Sequence, residues 1–362
     1  MESSGPEITI RPVQDFEELA RLWRDLEARA DGSFFQSWAW TGCLASERFS
    51  APWLLAAHRK ERLVALALFN RRSRRLLPTL HLGEAGRPDI DSIFIEHNGV
   101  LIDRSEPAET QLRCWASLAE SKLGRTRWVI SGVPSELAKE LSHDRVVRIT
   151  ASRPAPYCDF TALPAGGGSV LDHLSGNTRQ QLRRSLRAWK EIGPLRLDIA
   201  SPGDEATTFF DGLKALHQRY WIGRGKPGAF AHPVFERFHQ TLLDRAGPGQ
   251  SIDLMRISAG SQTVGYLYNL VHRGWVAAYQ SGIDYGPDAD RLRPGLICHL
   301  LAIDHYRRAG NRLYDFLGGD ARYKRSFASA DRELLWLEAR PSLVRLCLGR
   351  KSRSGSEPEG FS

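Results

Sequence analysis

Three stretches of alternating, β-favouring residues follow one another closely: SIDLMRIS (251–258), TVGYLYNLV (263–271) and WVAAYQSGID (275–284). The turns between them are marked by Ala259-Gly260 and Arg273-Gly274. Connections this short cannot cross over a sheet, so the stretches must pair antiparallel, as a meander. The flanks narrow the fold further. A strand-like run, LRLDIA (195–200), leads into a helical pattern from about Asp204, with Phe209, Leu213, Leu216, His217 and Tyr220 at three- and four-residue spacings. A second helix runs from Pro233 to about Ala246. Beyond the meander, Pro294 and Gly295 open an amphipathic helix through Leu296, Leu300, Ile303 and Tyr306, which stops at Gly310. RLYDF (312–316), a turn region and ELLWLEA (333–339) complete the order β-α-α-β-β-β-α-β-turn-β.

The first half reads the same way. Strand EITIRP (7–12), a helix over 15–30 and another from Ser37 precede the strand pair WLLAAHR and RLVALALFN across Lys60-Glu61. Strands near TLHLG (79–83) and SIFIE (92–96), a helix over 107–123, strand RWVISGV (127–133), a short helix and two more strands follow. LPAGGGS (163–169) is the expected seam, because consecutive glycines resist regular structure. The reading therefore places one domain over 1–163, a second over 164–349 and a disordered polar tail over 350–362.

At 362 residues, 42% hydrophobic and 25% charged, the chain has enough apolar material for two ordinary cores. Its longest apolar runs, such as LVALALF (63–69), fall short of the roughly 18–20 residues a membrane span needs. The opening MESSGPEITI lacks the basic and apolar regions of a secretory signal, so a cytoplasmic location is expected. Cys43, Cys114, Cys158, Cys298 and Cys347 are scattered and never spaced C-x-x-C, which argues for packed thiols and no metal site. The net charge of +8 is gathered in RRSRR (71–75), RQQLRRSLRAWK (179–190) and the tail from Arg345 to Arg353, a pattern that favours an anionic partner.

The order of elements, a mixed sheet with two helices after its first strand, resembles the GNAT acyltransferase fold, and its duplication resembles the tandem-GNAT families. LSGNTRQQLRRSLRAWKEIG (174–193), HQRYWIGRGKPGAF (217–230), YQSGID (279–284), RPGLICHLLAID (293–304) and YDFLGGDARYKRSF (314–327) together resemble the CelD-type, FemAB-like acyltransferases over roughly residues 170–330. FFQSWAW (34–40) is the main match in the first half. The resemblance implies an α/β (α+β) protein of two tandem GNAT-like domains, each a mixed, mostly antiparallel sheet flanked by helices. It implies transfer of an acyl group from acyl-CoA to an amine, less often a hydroxyl, of a cell-envelope polysaccharide precursor or related metabolite. FemAB-type relatives instead take an aminoacyl group from tRNA. RLRPGL (291–296) is a degraded form of the R/Q-x-x-G-x-G/A pyrophosphate signature, so the donor stays open between the two, and a non-catalytic subunit of a polysaccharide-synthesis complex is a third reading.

Within that frame the candidate residues take roles. Asp315 either orients or deprotonates an attacking amine or caps its own turn, while Tyr323 and Lys324 either serve the leaving group or pack over that turn. Gly318 and Gly319 let an acyl chain lie along bare backbone. Tyr279 and Ser281 project from one sheet face near Asp284, as acceptor ligands or as a cross-strand pair. Arg291 and Arg293, with the amides of Gly295 and Leu296 at a helix N-terminus, would dock a donor phosphate. His217 and Trp221 share a helical face, as base or acceptor ligand or as structural residues. Arg179, Arg183 and Arg187 form one positive stripe on a helix expected to be capped by Asn177, with Gln180 three residues later. The stripe suits anion contact and leaves tRNA as a possible partner.

Overall fold

The computed structural model describes residues 5–73, 78–88, 90, 91, 94–162, 168–247 and 249–342. Two compact units divide them: one holds the described residues of 1–87, 95–152 and 335–362, the other those of 88–94 and 153–334. Of the expected basic clusters, residues 74 and 75 and the stretch from Arg345 lie outside the described residues, as do Cys347 and most of the 163–169 seam.

The first unit begins β1 (Glu7–Pro12), α1 (Phe16–Arg29), α2 (Trp38–Arg48), β2 (Pro52–Arg59), β3 (Arg62–Arg72), β4 (Thr79–Leu82) and β5 (Leu101–Ile102). It continues with α3 (Glu109–Glu120), β6 (Arg127–Pro134), α4 (Glu136–Ser142) and the opening residues of β7 (Arg145–Asp159). Short polar side chains start the helices where the sequence places them. Asp15 accepts from the amides of Glu17 and Glu18 at 2.8 and 3.1 Å, and Ser37 accepts from Trp40 at 3.3 Å. β1, β2, β3 and β4 pair antiparallel in that order, and β4 pairs β6 in parallel. Leu54, Ala56, Leu66 and Leu68 face α1, whose Leu19, Trp23 and Leu26 are buried against them. Their neighbours Leu55, Ala57, Ala65 and Ala67 face the opposite way, onto Cys114, Trp115 and Leu118 of α3. Helices on both faces explain why β3 reads as an unbroken apolar run rather than an alternating one.

The second unit contains the end of β7, then α5 (Gly176–Ile192), β8 (Leu195–Ile199), α6 (Asp204–Ile222), α7 (Pro233–Ala246), β9 (Ile252–Ala259), β10 (Gln262–His272) and β11 (Trp275–Ile283). After these come α8 (Ala289–Leu292), α9 (Pro294–Arg308), β12 (Leu313–Asp315), α10 (Arg322–Phe327) and the start of β13 (Ala330–Pro341). β8, β9, β10 and β11 form the expected antiparallel meander, and β11 pairs β12 in parallel. The turn joining β10 to β11 has Arg273 at φ 52° and Gly274 at φ 77°, the double positive φ that matches the twist of a tight hairpin. Element order, pairing and the single parallel step repeat those of the first unit, so each half is a mixed, mostly antiparallel sheet flanked by helices, in the GNAT manner. Each sheet is completed by a strand that continues from the other half: residues 157–159 of β7 pair β12, and β13 neighbours β6.

Four local expectations are corrected. Phe94–Glu96 is not a strand; β5 pairs β3 instead, and residues 92 and 93 lie outside the described set. The two strands expected before the seam are one long strand, β7. The turn region after RLYDF contains the short helix α10. Ser175, not Asn177, caps α5, accepting from Thr178 N at 3.3 Å. Cys43, Cys114, Cys158 and Cys298 are free and buried, and burial pushes the Cys114 and Cys158 thiols up to about 12 and about 11. Among the described residues no helix is long and apolar enough to cross a membrane, and no three His, Cys, Asp or Glu gather as metal ligands.

Candidate active site

β11 and β12 run together only over Trp275 with Leu313, Val276 with Tyr314 and Ala277 with Asp315. Past that point β12 ends while β11 continues to Ile283, so the strands part and β11 backbone beyond Ala277 is not covered by β12. The chain leaving β12 makes a costly turn. Leu317 has φ 60° and Gly319 φ 125°, and a left-handed non-glycine residue costs roughly 1–2 kcal/mol. Neighbouring groups hold it in place. Asp315, fully buried, accepts from Leu317 N at 2.7 Å; Phe316 N donates to Pro156 O at 2.9 Å and Gly319 N to Pro154 O at 2.8 Å. Buried Lys324 reaches back from α10 and donates to the carbonyls of Leu317 and Gly318 at 3.0 and 2.9 Å. Arg332, lying over the rings of Tyr157 and Trp275, stands 3.5 Å from the second carboxylate oxygen of Asp315. Asp315 and Lys324 thus act on the turn from opposite sides, with Gly318 and Gly319 between them.

Tyr323, one residue before Lys324, turns the other way. Its ring is 36% exposed and lies parallel to His299 of α9, centroids 5.0 Å apart and planes 15° off parallel. Desolvation, then the phenols of Tyr285 and Tyr220, raise its pKa, so Tyr323 keeps its proton at neutral pH. Tyr285 stacks at a tilt on Tyr220 with centroids 4.9 Å apart, and burial followed by Tyr220 lifts its own phenol to about 12. A Cβ added to Gly295 would sit 3.0 Å from the Tyr285 hydroxyl, which places that phenol over the first turn of α9. There Ile297 is bonded back to Arg293 O at 3.2 Å, so the amides of Gly295 and Leu296 precede the helical ladder and point out of it. Arg293 at φ 47° caps the helix. Both flanking arginines carry acidic neighbours: Arg293 with Asp290 at 3.2 Å, Arg291 with Asp288 at 3.6 Å and Glu191 at 3.7 Å.

His217 lies on the inner face of α6. Nδ1 is 3.1 Å from Ser281 O and Nε2 accepts from Ala229 N at 3.3 Å, so both ring nitrogens are engaged and the tautomer is set. Burial lowers its pKa. Trp221, one turn on, packs its ring 6.1 Å from His217 with Lys226 5.4 Å above, and Arg219 pairs with Asp284. Tyr279 is buried among Phe235, His239 and Tyr268. Arg179 donates to Leu174 O at 3.3 Å and Arg183 stands 3.9 Å from Asp172, both at the start of α5. The far end of that helix is tied to the segment before α9, where Leu292 O accepts from Ser185 Oγ and, at 2.8 Å, from Trp189 Nε1. Asp315, Gly318, Gly319 and Lys324 therefore meet at the turn where β12 ends, and Tyr323, Tyr285 and Gly295 follow beside it through His299 and the first turn of α9. His217, Ser281, Trp221 and Asp284 flank them along α6 and β11. Tyr220, Tyr285 and His299, which motif reading did not single out, complete the cluster; each lies in or beside a quoted motif, but an aromatic or a lone His in an apolar segment looks like core until its neighbours are known.

Residues 176–325 match the family model described as an acetyltransferase (GNAT) domain. No curated protein sequence matches the chain. Among solved structures the chain is similar to FemX, at 10% identity and TM-score 0.62, with 94% of this chain and 99% of that one covered. It is similar to L-PGS from Bacillus licheniformis, at 11% identity and TM-score 0.53, covering 95% and 98%. A third similar structure is the C-terminal domain (DUF2156) assigned to a lysylphosphatidylglycerol synthetase of Agrobacterium fabrum, at 13% identity and TM-score 0.55, covering 95% and 100%. At these identities the likeness is one of fold, and it is the family match over residues 176–325 that supports an N-acyltransferase of the GNAT type.

Proposed function

We propose that this protein moves an acyl group from acyl-CoA to an amine of a cell-envelope polysaccharide precursor or related metabolite, in the opening where β11 and β12 part. The observation that carries the reading is the turn at 315–319, whose strained backbone is held by Asp315 and Lys324 while Tyr323 presents a protonated phenol beside it. Energy spent on holding such a turn is characteristic of functional sites. In this reading the thioester carbonyl lies along β11 backbone beyond Ala277, and the donor phosphates meet the amides of Gly295 and Leu296 with Arg291 and Arg293. The amine attacks the acyl carbon, the C–S bond breaks, Tyr323 protonates the departing sulfur, and the proton lost by the acylated nitrogen restores the phenol. An α-amino group, with a pKa of about 8, needs little help from a base at neutral pH. Asp315, occupied with the turn, acts by positioning, and alignment alone is worth about 7–11 kcal/mol. Ser281, Asp284, Trp221 and His217 line the acceptor side, with His217 holding α6 to β11.

A second reading has specific support. Arg291 and Arg293 are both paired with acids, and FemX and L-PGS are among the structures similar in fold, which favours an aminoacyl-tRNA donor with the basic face of α5, including Arg179 and Arg183, against its phosphates. Transfer of labelled acyl groups from acetyl-CoA, a long-chain acyl-CoA and aminoacyl-tRNA to an amine acceptor separates the two. Activity with acyl-CoA alone supports the first. Activity with aminoacyl-tRNA that falls steeply with salt supports the second. Transfer from none of them, with no thermal stabilisation by any, rules out both.

A further inference from the structure

His299 occupies an unusual position for a buried polar residue. It is 4% exposed on α9, its Nδ1 is 3.0 Å from the Tyr314 hydroxyl, and that hydroxyl donates to Asn269 Oδ1 at 3.3 Å. A phenol has one proton to give. With that proton directed to Asn269, the hydrogen between Tyr314 and His299 must belong to Nδ1, which leaves the lone pair of the neutral imidazole on Nε2. Among the described residues Nε2 has no hydrogen-bond partner. Nε2 is not sealed off from solvent, so this acceptor without a protein partner is open to a hydrogen bond from a bound molecule. The ring is wedged between Phe316, with centroids 5.4 Å apart, and Tyr323 at 5.0 Å, directly under the residue that borders the opening between β11 and β12. Burial, and next the Lys324 ammonium, bring its pKa down to about 3, so it stays neutral in use.

We propose that His299 Nε2 is a substrate contact of the acyl-transfer site, accepting a hydrogen bond from the nucleophile's N–H and turning the nitrogen lone pair toward the acyl carbon. The inference rests on the reading of Tyr323 as proton donor. The step balances without protonating the imidazole. The N–C bond forms and the C–S or C–O bond breaks; Tyr323 gives its proton to the leaving atom, and the proton shed by the acylated nitrogen returns to the phenolate. His299 orients throughout and is unchanged at the end. It is thus an acceptor and not a base, which is the part a neutral, Nδ1-protonated ring can play.

Nitrogen-15 NMR of the full-length chain, with the His299 signals identified by their loss in His299→Phe, tests this directly. The free protein is expected to show a protonated Nδ1 and an unprotonated Nε2, and saturating methylamine is expected to shift the Nε2 resonance. A protonated Nε2, or no shift with methylamine, overturns the inference. In the transfer assay, His299→Phe keeps a flat ring beneath Tyr323 and deletes the acceptor, so kcat/KM for the amine should fall roughly tenfold. His299→Asn, which keeps a donor toward Tyr314, should fall as far, which separates loss of Nε2 from loss of the Tyr314 bond. A slow Tyr323→Phe beside wild-type rates for both His299 variants overturns this inference alone. Wild-type rates for Tyr323→Phe overturn the reading beneath it.

Discussion

Gly282→Ala is the substitution whose cost the structure states most directly. Gly282 lies in β11 against α6, and a Cβ there would collide with the Leu213 carbonyl oxygen and stand 2.9 Å from Leu213 Cα and 3.0 Å from its carbonyl carbon. Carbon atoms settle at about 3.5–4.0 Å, so the helix must retreat by about 1 Å. All three atoms are backbone, and no side-chain rotation relieves the contact. Overpacking of this kind costs about 1–3 kcal/mol. The retreat also stretches the 3.1 Å contact between His217 Nδ1 and Ser281 O, next to Gly282, past hydrogen-bond range. That adds about 1 kcal/mol, for a total near 2–4 kcal/mol, or roughly 5–15 °C in thermal midpoint. Thermal unfolding followed by near-ultraviolet circular dichroism measures it. Gly176→Ala is the control, because nothing lies within 4 Å of a Cβ there. Equal midpoints for the two variants would refute the claim that glycine at 282 exists to seat α6 on β11.

Tyr323→Phe is expected to fold normally and to lose about 10²–10⁴-fold in kcat, with KM nearly unchanged, in a steady-state transfer assay. In the wild type the raised phenol pKa places the alkaline fall in rate above the usual tyrosine value of about 10, and a fall below that value counts against Tyr323 as the donor. In the first unit, burial works to raise the Asp103 pKa but is overcome by Ser105, Arg62 and Arg29, so the folded value lies below the unfolded one. Its stabilisation is therefore complete above the unfolded pKa of about 3.9, shrinks as pH falls below that value and is gone only once pH passes the lower folded value. Asp103→Asn should cost about 3–5 kcal/mol at pH 7 by stranding its arginine partners, and progressively less as pH falls below about 4, with part of the cost still present at pH 3, as a series of chemical denaturations across acid pH reveals. Cys114, Cys158 and Cys298, with burial raising each thiol, should resist iodoacetamide at pH 8 until the chain is unfolded, as mass mapping shows.

Short-range chemistry is what the sequence by itself determined. Residues one to four positions apart decide caps, turns and alternation, which is why Asp15, Ser37 and the Arg273-Gly274 turn fall where they were expected, and why a meander flanked by helices was legible as a repeated element order. The same locality explains the errors: Asn177 and Ser175 are both good caps two residues apart, and backbone direction chooses between them. The importance of YDFLGGDARYKRSF was also legible, because an acid running into two glycines has no place in a plain strand. Tertiary structure alone decided how those residues divide their work. Asp315 and Lys324 face inward onto one strained turn while Tyr323, their neighbour, faces out, and nothing in their order along the chain distinguishes them. Only packing could bring His299, Tyr314 and Asn269 into line beneath Tyr323, since 30 residues part His299 from Asn269 and a proton's location depends on what stands opposite it in space.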